Sequence, residues 1–186
     1  MLANIDVTNI RIETERLILR PWRQEDLEDL YAYASVEGVG EMAGWIHHKS
    51  MEESQMILNM FIRDKKTFAI ELKECGWVIG SLGMEEYSTD DFEEPELRGR
   101  ELGYVLGKEY WGTGLMTEAV NAVIDYCFRV LEYDFLLCAH FDRNDRSRRV
   151  IEKTGFRYVK DVLYNTRYET VEQAKFYVLY NPDLER

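Results

Sequence analysis

Cysteine is scarce in this chain of 186 residues, and the three present do not form a pattern. Cys75, Cys127 and Cys138 are odd in number and unrelated in spacing. That excludes a disulfide framework or a cysteine-based zinc site, and it suits ordinary core thiols in a reducing compartment. Histidine is equally sparse: His47 and His48 are adjacent, His140 stands alone, and adjacent histidines point apart in most backbones, so no metal is expected. No apolar run is long enough to span a bilayer, and the N-terminus lacks a signal-peptide pattern. The expectation is a cytoplasmic protein without a membrane partner. Basic residues are in deficit, 23 against 35 acidic, for a formal net charge of −12. Such a balance disfavours a nucleic-acid backbone as partner. Two phosphate-binding patterns are missing as well. There is no G-x-x-x-x-G-K-[ST], because Lys108 precedes the glycines, and no complete G-x-G-x-x-G, because position 117 is Thr. Repeats, linkers and composition breaks are absent. Residues 1–186 therefore read as one domain, long enough to bury a sizeable core without disulfides or metals.

What the chain does have is Trp111-Gly112-Thr113-Gly114-Leu115-Met116-Thr117-Glu118-Ala119, between an expected strand at Glu101 to Leu106 and a long amphipathic helix. Two glycines one residue apart let backbone approach a ligand closely, and the first N–H groups of the helix lack internal partners. With the helix dipole they make an anion site suited to a phosphate or pyrophosphate. A plain tight turn with a helix start is the alternative. In the helix, Met116, Val120, Val123, Cys127 and Val130 recur at steps of three and four and predict a buried stripe. Asp125 and Arg129 are spaced to pair on the outer face. Phe135 to Phe141 is nearly all apolar, which predicts a strand buried on both faces and a right-handed crossover. Asn144 is placed to cap a short helix from about Asp145 to Thr154, with Gly155 just past its end and Phe156 starting the next strand.

Earlier in the chain, Leu17 to Trp22 reads as a strand and Leu27, Leu30, Tyr31 and Ala34 as a helix. Gly38 and Gly40 interrupt, and Trp45 to His48 fall in a loop. Ser50 and Glu53 form a capping-box pattern that opens a second helix, with Ile57, Met60 and Phe61 as its core face. Phe68 to Leu72 and Trp77 to Leu82 read as a hairpin joined by Lys73 to Gly76, and Phe156 to Tyr164 with Lys175 to Tyr180 as a final one.

In order and spacing, Glu101-Leu102-Gly103-Tyr104-Val105-Leu106, Tyr110 to Ala119, Asn144-x-x-Ser147 and Glu152-Lys153-Thr154-Gly155-Phe156 resemble the GNAT superfamily of acetyl-CoA-dependent N-acetyltransferases. Glu13-Thr14-Glu15-Arg16-Leu17-Ile18-Leu19-Arg20-Pro21-Trp22 is similar to the branch holding ribosomal-protein-alanine N-acetyltransferases. The resemblance runs from about residue 13 to 180. It implies an α/β (α+β) fold: a mixed, mostly antiparallel central sheet of about seven strands flanked by about four helices, with splayed fourth and fifth strands. Those two strands would be Arg100 to Leu106 and Phe135 to Phe141.

The same resemblance implies acetyl-CoA as co-substrate. Backbone groups at Tyr104, Val105 and Leu106 would hold the pantetheine arm, and Glu109, Tyr110, Trp111, Gly112, Thr113, Gly114, Leu115 and Met116 would hold the pyrophosphate. The family pattern has Gln or Arg where this chain has Glu109. Lys108 either supplies the missing charge or is a solvated turn residue. Asn144 and Ser147 would also contact CoA. Arg146, Arg148 and Arg149 either meet its 3′-phosphate or lie in solvent.

Acetyl transfer to an amine gains from binding both substrates together and from a carboxylate base worth about 10²–10⁴-fold. Glu101 is the candidate base, against the alternative of an edge-strand glutamate facing water. A backbone N–H near Leu106 would stabilise the thioester oxyanion. Many relatives use a tyrosine as general acid where this chain has Ile151. Ser147 is the candidate replacement, against the alternative of a helix-start serine bonding local backbone.

The acidic segment from Met84 to Glu96 (Glu85, Glu86, Asp90, Asp91, Glu93, Glu94, Glu96) either attracts a cationic acceptor or is a solvated hairpin tip. His47, His48 and Trp45 either touch the acceptor or pack the loop. Tyr164, Tyr168, Tyr177 and Tyr180 are mostly packing candidates, with approach of one of them to the acceptor as the alternative. The acceptor is expected to be a small amine or a protein N-terminus, and the enzyme a monomer or homodimer. Two other classes stay open: a non-catalytic CoA-binding regulatory module, and an unrelated nucleotide-binding domain using the same turn.

Overall fold

The computed structural model describes residues 1–87, 92, 94 and 96–184. Its strands are β1 (Ile12–Glu13), β2 (Leu17–Pro21), β3 (Thr67–Leu72), β4 (Val78–Glu85), β5 (Gly99–Leu106), β6 (Phe135–Phe141), β7 (Arg157–Asn165) and β8 (Val171–Tyr180). The helices are α1 (Leu27–Ala34), α2 (Met51–Asp64), α3 (Leu115–Arg129) and α4 (Asp145–Lys153). One sheet carries the described strands in the order β1-β2-β3-β4-β5-β6-β8-β7. Every neighbouring pair is antiparallel except β5 and β6, which run parallel and are joined by the α3 crossover. The mixed, mostly antiparallel sheet and four helices are those the family resemblance implies. The strand beyond the expected seven is the two-residue β1, too short to leave a periodic signal.

Helices cover both faces. The α3 stripe of Leu115, Met116, Ala119, Val120, Val123 and Cys127 packs with Leu17, Leu19, Ile70, Leu82, Leu102 and Leu136 in the main core. Fully burying each such aliphatic side chain stabilises the fold by ~1.5–3 kcal/mol. Val130, expected on that stripe, is 60% exposed: it is the C-cap, still bonded to the Tyr126 carbonyl at 2.9 Å, but it lies at the end of the helix, where the stripe is no longer covered. Asp125 and Arg129 pair at 2.8 Å on the outer face, as their spacing predicts. On the opposite face, α1 and α2 pack Leu30, Tyr33, Ala34 and Leu58 against Ala69 and Val78.

The start of α2 is capped as read, since Ser50 Oγ accepts from the Glu53 N–H. Glu53 closes the box one residue early, taking the Lys49 N–H at 2.7 Å. The core face of α2 matches the sequence reading in part: Ile57 and Phe61 pack against the α1–α2 core, Phe61 with its ring 5.3 Å from that of Trp22. Its buried residues are Ser54 and Leu58, while Ile57, Met60 and Phe61 are half-buried and line a groove. Periodicity identifies an apolar face, and it is the tertiary structure that decides whether that face meets a core or a cavity.

Candidate active site

The parallel ladder between β5 and β6 runs from Gly99↔Phe135 to Leu102↔Cys138 and stops there, although β5 continues to Leu106 and β6 to Phe141. The two strands therefore part at mid-sheet. Backbone groups alternate in direction along a strand. Gly107 N donates to Ile79 C=O on the β4 side, whereas Leu102 C=O accepts from Cys138 Sγ at 3.3 Å on the β6 side. By that alternation Tyr104 and Leu106 turn their N–H and C=O groups into the opening. The Leu106 carbonyl is taken by the Trp111 indole N–H at 2.8 Å, so Leu106 offers its N–H alone.

Below the opening the chain makes a 3₁₀ turn at Lys108–Tyr110 and then enters α3 through Gly112 and Gly114, at φ 77° and 83°. These left-handed values favour glycine. Gly114 is the helix N-cap and brings no side-chain cap, so the first N–H groups of α3 stay available. Thr113 Oγ1 donates back to the Tyr110 carbonyl at 2.6 Å and closes the turn. The Arg146 guanidinium lies 3.9 Å from the Trp111 ring centroid, which sets a cation from α4 over the turn.

A single groove of about 890 Å³ joins these parts. That size suits a large ligand. Of the residues the sequence singles out, Glu101, Tyr104, Val105, Leu106, Tyr110, Trp111, Gly112, Gly114, Leu115, Met116, Asn144 and Ser147 line it. Glu109 and Thr113 do not. Both side chains are exposed, and the Thr113 carbonyl accepts from Arg16 Nη1 at 3.1 Å. Arg146 and Arg149 line the groove together with Lys153, whereas Arg148 pairs with Asp145 at 3.0 Å. Ile151 is buried in the main core and carries no proton donor to the opening.

Across the sheet the groove changes character. Glu101 sits opposite Glu85 in the β4–β5 register, and Lys66 Nζ pairs with Glu85 at 2.7 Å. Glu53, Asp64 and Glu86 add acidic groups along the same side. Apolar and aromatic walls come from Tyr33, Trp45, Ile57, Met60 and Phe61. Of the acidic segment, Glu85 and Glu86 line the groove, while Asp90, Asp91 and Glu93 lie outside the described residues.

The adjacent histidines diverge. His48 lines the groove, bonds Ser54 Oγ through Nδ1 at 2.7 Å, and has its pKa lowered by burial. His47 turns to Glu41 at 2.7 Å. No cluster able to hold a metal ion occurs among the described residues.

Three relationships have no local signal in the sequence. Arg16 bonds both the turn and Glu118. Arg143 Nη2 and Tyr168 OH both donate to the Glu41 carbonyl, tying the α1–α2 loop to the β7–β8 turn and to the start of α4. The Tyr104 hydroxyl crosses the opening to Ser147 Oγ at 2.9 Å. Each joins residues at least 43 positions apart, beyond the reach of any spacing rule.

Residues 16–157 match the sequence profile of the family described as acetyltransferase (GNAT) domain. An uncharacterized N-acetyltransferase, p20, of Bacillus licheniformis is 30% identical over 149 residues, covering 77% of this chain and 80% of that one. The [ribosomal protein uS5]-alanine N-acetyltransferase of Escherichia coli is 24% identical over 180 residues, 85% of each chain. Among solved structures, a GNAT-family acetyltransferase of Bacillus anthracis superposes with a TM-score of 0.81 at 21% identity, covering 94% of this chain and all of the other.

Proposed function

The chain belongs to the acetyltransferase (GNAT) family, and on that premise we propose that it moves an acetyl group from acetyl-CoA directly to a primary amine, with residues 1–186 acting as one domain. One observation carries the reading. The groove is cationic at its α4 end, with Arg146, Arg149 and Lys153, and acidic on the α2 side, with Glu53, Asp64, Glu85, Glu86 and Glu101; the parted strands lie between. Phosphates suit the first end and a protonated amine the second.

The residues present fit acetyl-CoA. The uncapped N–H groups of Leu115 and Met116 and the glycine turn favour a pyrophosphate. The Tyr104 backbone offers amide-type partners to the pantetheine arm. The bound co-substrate supplies an activated acyl group on a good leaving group. Glu101 then accepts a proton as the amine nitrogen bonds the acetyl carbon, and the Leu106 N–H favours charge on the acetyl oxygen. The C–S bond breaks with its electron pair on sulfur, beside the Ser147 hydroxyl. Cys138 is the thiol nearest the opening. Burial raises its pKa, and it donates to Leu102 C=O, so it stays a thiol and direct transfer is favoured over an acyl-cysteine.

The likeness to an enzyme named for a ribosomal-protein alanine favours a protein N-terminus over a small amine as acceptor. A thiol-release assay over peptide N-termini and small amines tests this reading. Glu101→Gln is expected to lower kcat by about 10²–10⁴-fold and leave acetyl-CoA affinity, read by calorimetry, within about twofold. Equal turnover by the variant across pH at saturating substrate would remove Glu101 from the mechanism. Binding of ATP in place of acetyl-CoA would remove the whole reading.

A further inference from the structure

We propose that Tyr104 is a positioning residue, which holds the Ser147 hydroxyl so that its hydrogen points at the leaving sulfur. This inference rests on the acetyl-transfer reading above and assigns a role to a side chain that the reading uses only for its backbone.

Tyr104 leaves β5 where that strand has lost its β6 partner, and its phenol spans the opening to the first turn of α4. The hydroxyl oxygen lies 2.9 Å from Ser147 Oγ and 3.3 Å from the Ser147 carbonyl. Ser147 is anchored from the other side too, because its N–H donates to Asn144 Oδ1 at 3.2 Å. Asn144 is in turn fixed by donating to the Met42 carbonyl at 3.2 Å. Backbone and side chain of Ser147 are therefore held by different partners.

Proton counting gives the direction. A phenol and a serine hydroxyl have one hydrogen each. The Ser147 carbonyl can only accept, so the Tyr104 hydrogen lies on the serine side; shared between that carbonyl at 3.3 Å and Oγ at 2.9 Å, it leaves the serine hydrogen to point elsewhere, and Ser147 borders the groove. Burial is the main reason the Tyr104 phenol titrates well above its usual range, so it keeps its hydrogen. A phenol so hard to ionise is not the acid itself. Ser147 donates a hydrogen bond to sulfur as the C–S electron pair arrives there, the amine proton goes to Glu101, and neither hydroxyl loses its hydrogen. The opposite assignment, with Ser147 donating to Tyr104, would leave the sulfur without this partner. Ile151, one turn further along α4, has no hydrogen to give.

Calorimetric titration with CoA and with desulfo-CoA, from about pH 6.5 to 10, reads this without turnover. In the wild type the preference for CoA over desulfo-CoA should rise with pH, because the thiolate gains a donor. Tyr104→Phe and Ser147→Ala should each lose about tenfold of that preference, the scale of one charge-assisted hydrogen bond. The double variant should lose no more, and Ser147→Thr, which keeps a hydroxyl, should retain it. Desulfo-CoA affinity should stay within about twofold throughout. The inference is overturned if Tyr104→Phe keeps the full preference, if its loss adds to that of Ser147→Ala, or if desulfo-CoA binding falls in parallel, the mark of a merely structural role. Failure of the wild type to bind either ligand would overturn the acetyl-transfer reading instead.

Discussion

Arg16 and Glu118, 102 residues apart, lock the approach to β2 onto the first turn of α3. Arg16 Nε and Nη2 both reach Glu118 Oε2 at 2.7 Å, while the Arg16 N–H and the Thr14 hydroxyl donate to Oε1 at 2.9 and 2.6 Å. Arg16 Nη1 also donates to the Thr113 carbonyl, so a cation braces the glycine turn from outside the groove. Glu118 gains further from its place near the positive end of the helix.

Replacing Arg16 by Ala should therefore weaken the turn more than the fold. The side chain is 43% exposed, and exposed pairs are worth ~0–1 kcal/mol, so the loss of stability should be of that order. Acetyl-CoA affinity should fall several-fold with kcat at saturation nearly unchanged. Calorimetry and steady-state kinetics together check this, and a fall confined to kcat would contradict it.

Two glycine substitutions should separate the ends of the groove. Gly114→Ala places a side chain at φ 83°, where a non-glycine residue costs ~1–2 kcal/mol, and should weaken acetyl-CoA binding. Gly83→Ala brings a Cβ to 2.4 Å from Glu85 Oε1 and should push that carboxylate aside. Its effect should fall on the KM for the amine, with acetyl-CoA affinity kept. Thermal melts and KM values for the two substrates decide between these outcomes.

Arg20 is buried between Asp26, with two contacts of 2.8 Å, and Glu71 at 2.5 Å, and both partners raise its pKa against the cost of burial. Arg20→Ala strands a buried carboxylate and should cost ~3–5 kcal/mol in a urea melt. Arg20→Lys should recover only part of that, because an ammonium cannot make the two-pronged contact with Asp26.

The α1–α2 loop should loosen in acid. Burial alone would raise the Glu41 carboxyl, but the His47 ring and the N–H groups of His47 and Gly38 outweigh it and hold the pKa at about 2, down from 4.5. A depressed carboxyl stabilises fully above its unfolded value, and that contribution is lost as pH falls through the folded one. The loop should therefore loosen between about pH 4.5 and 2 and be unaffected by this group above pH 5. An acid titration of tryptophan fluorescence, to which Trp45 of this loop contributes beside Trp22, Trp77 and Trp111, should show the step in the wild type. Glu41→Gln should lack it, and a step of equal size in that variant would exclude Glu41 as its source.

The fold was legible in the sequence wherever its cause was local. The Gly112-x-Gly114 turn, the α3 stripe, the Asn144 cap and the apolar run of β6 each follow from residues within one or two turns of one another. Val130 failed as a stripe residue only because periodicity does not mark the last helical position. Ile57 and Phe61 pack against the core and also line the groove, and Met60 meets the groove without joining that core, because an apolar face is the same in sequence whether it meets packed side chains or an open groove. Ser147 and Glu101 could be picked out as candidates, but their settings could not. Glu85 across from Glu101, Tyr104 against Ser147 and Arg16 against Glu118 are contacts created when the sheet and its crossover bring distant segments together. The amino-acid order alone determined the elements and the glycine turn before α3, through hydrophobic period and backbone freedom. Only the tertiary structure decided where the strands part and which side chains face the opening, because those depend on packing between elements that no local rule encodes.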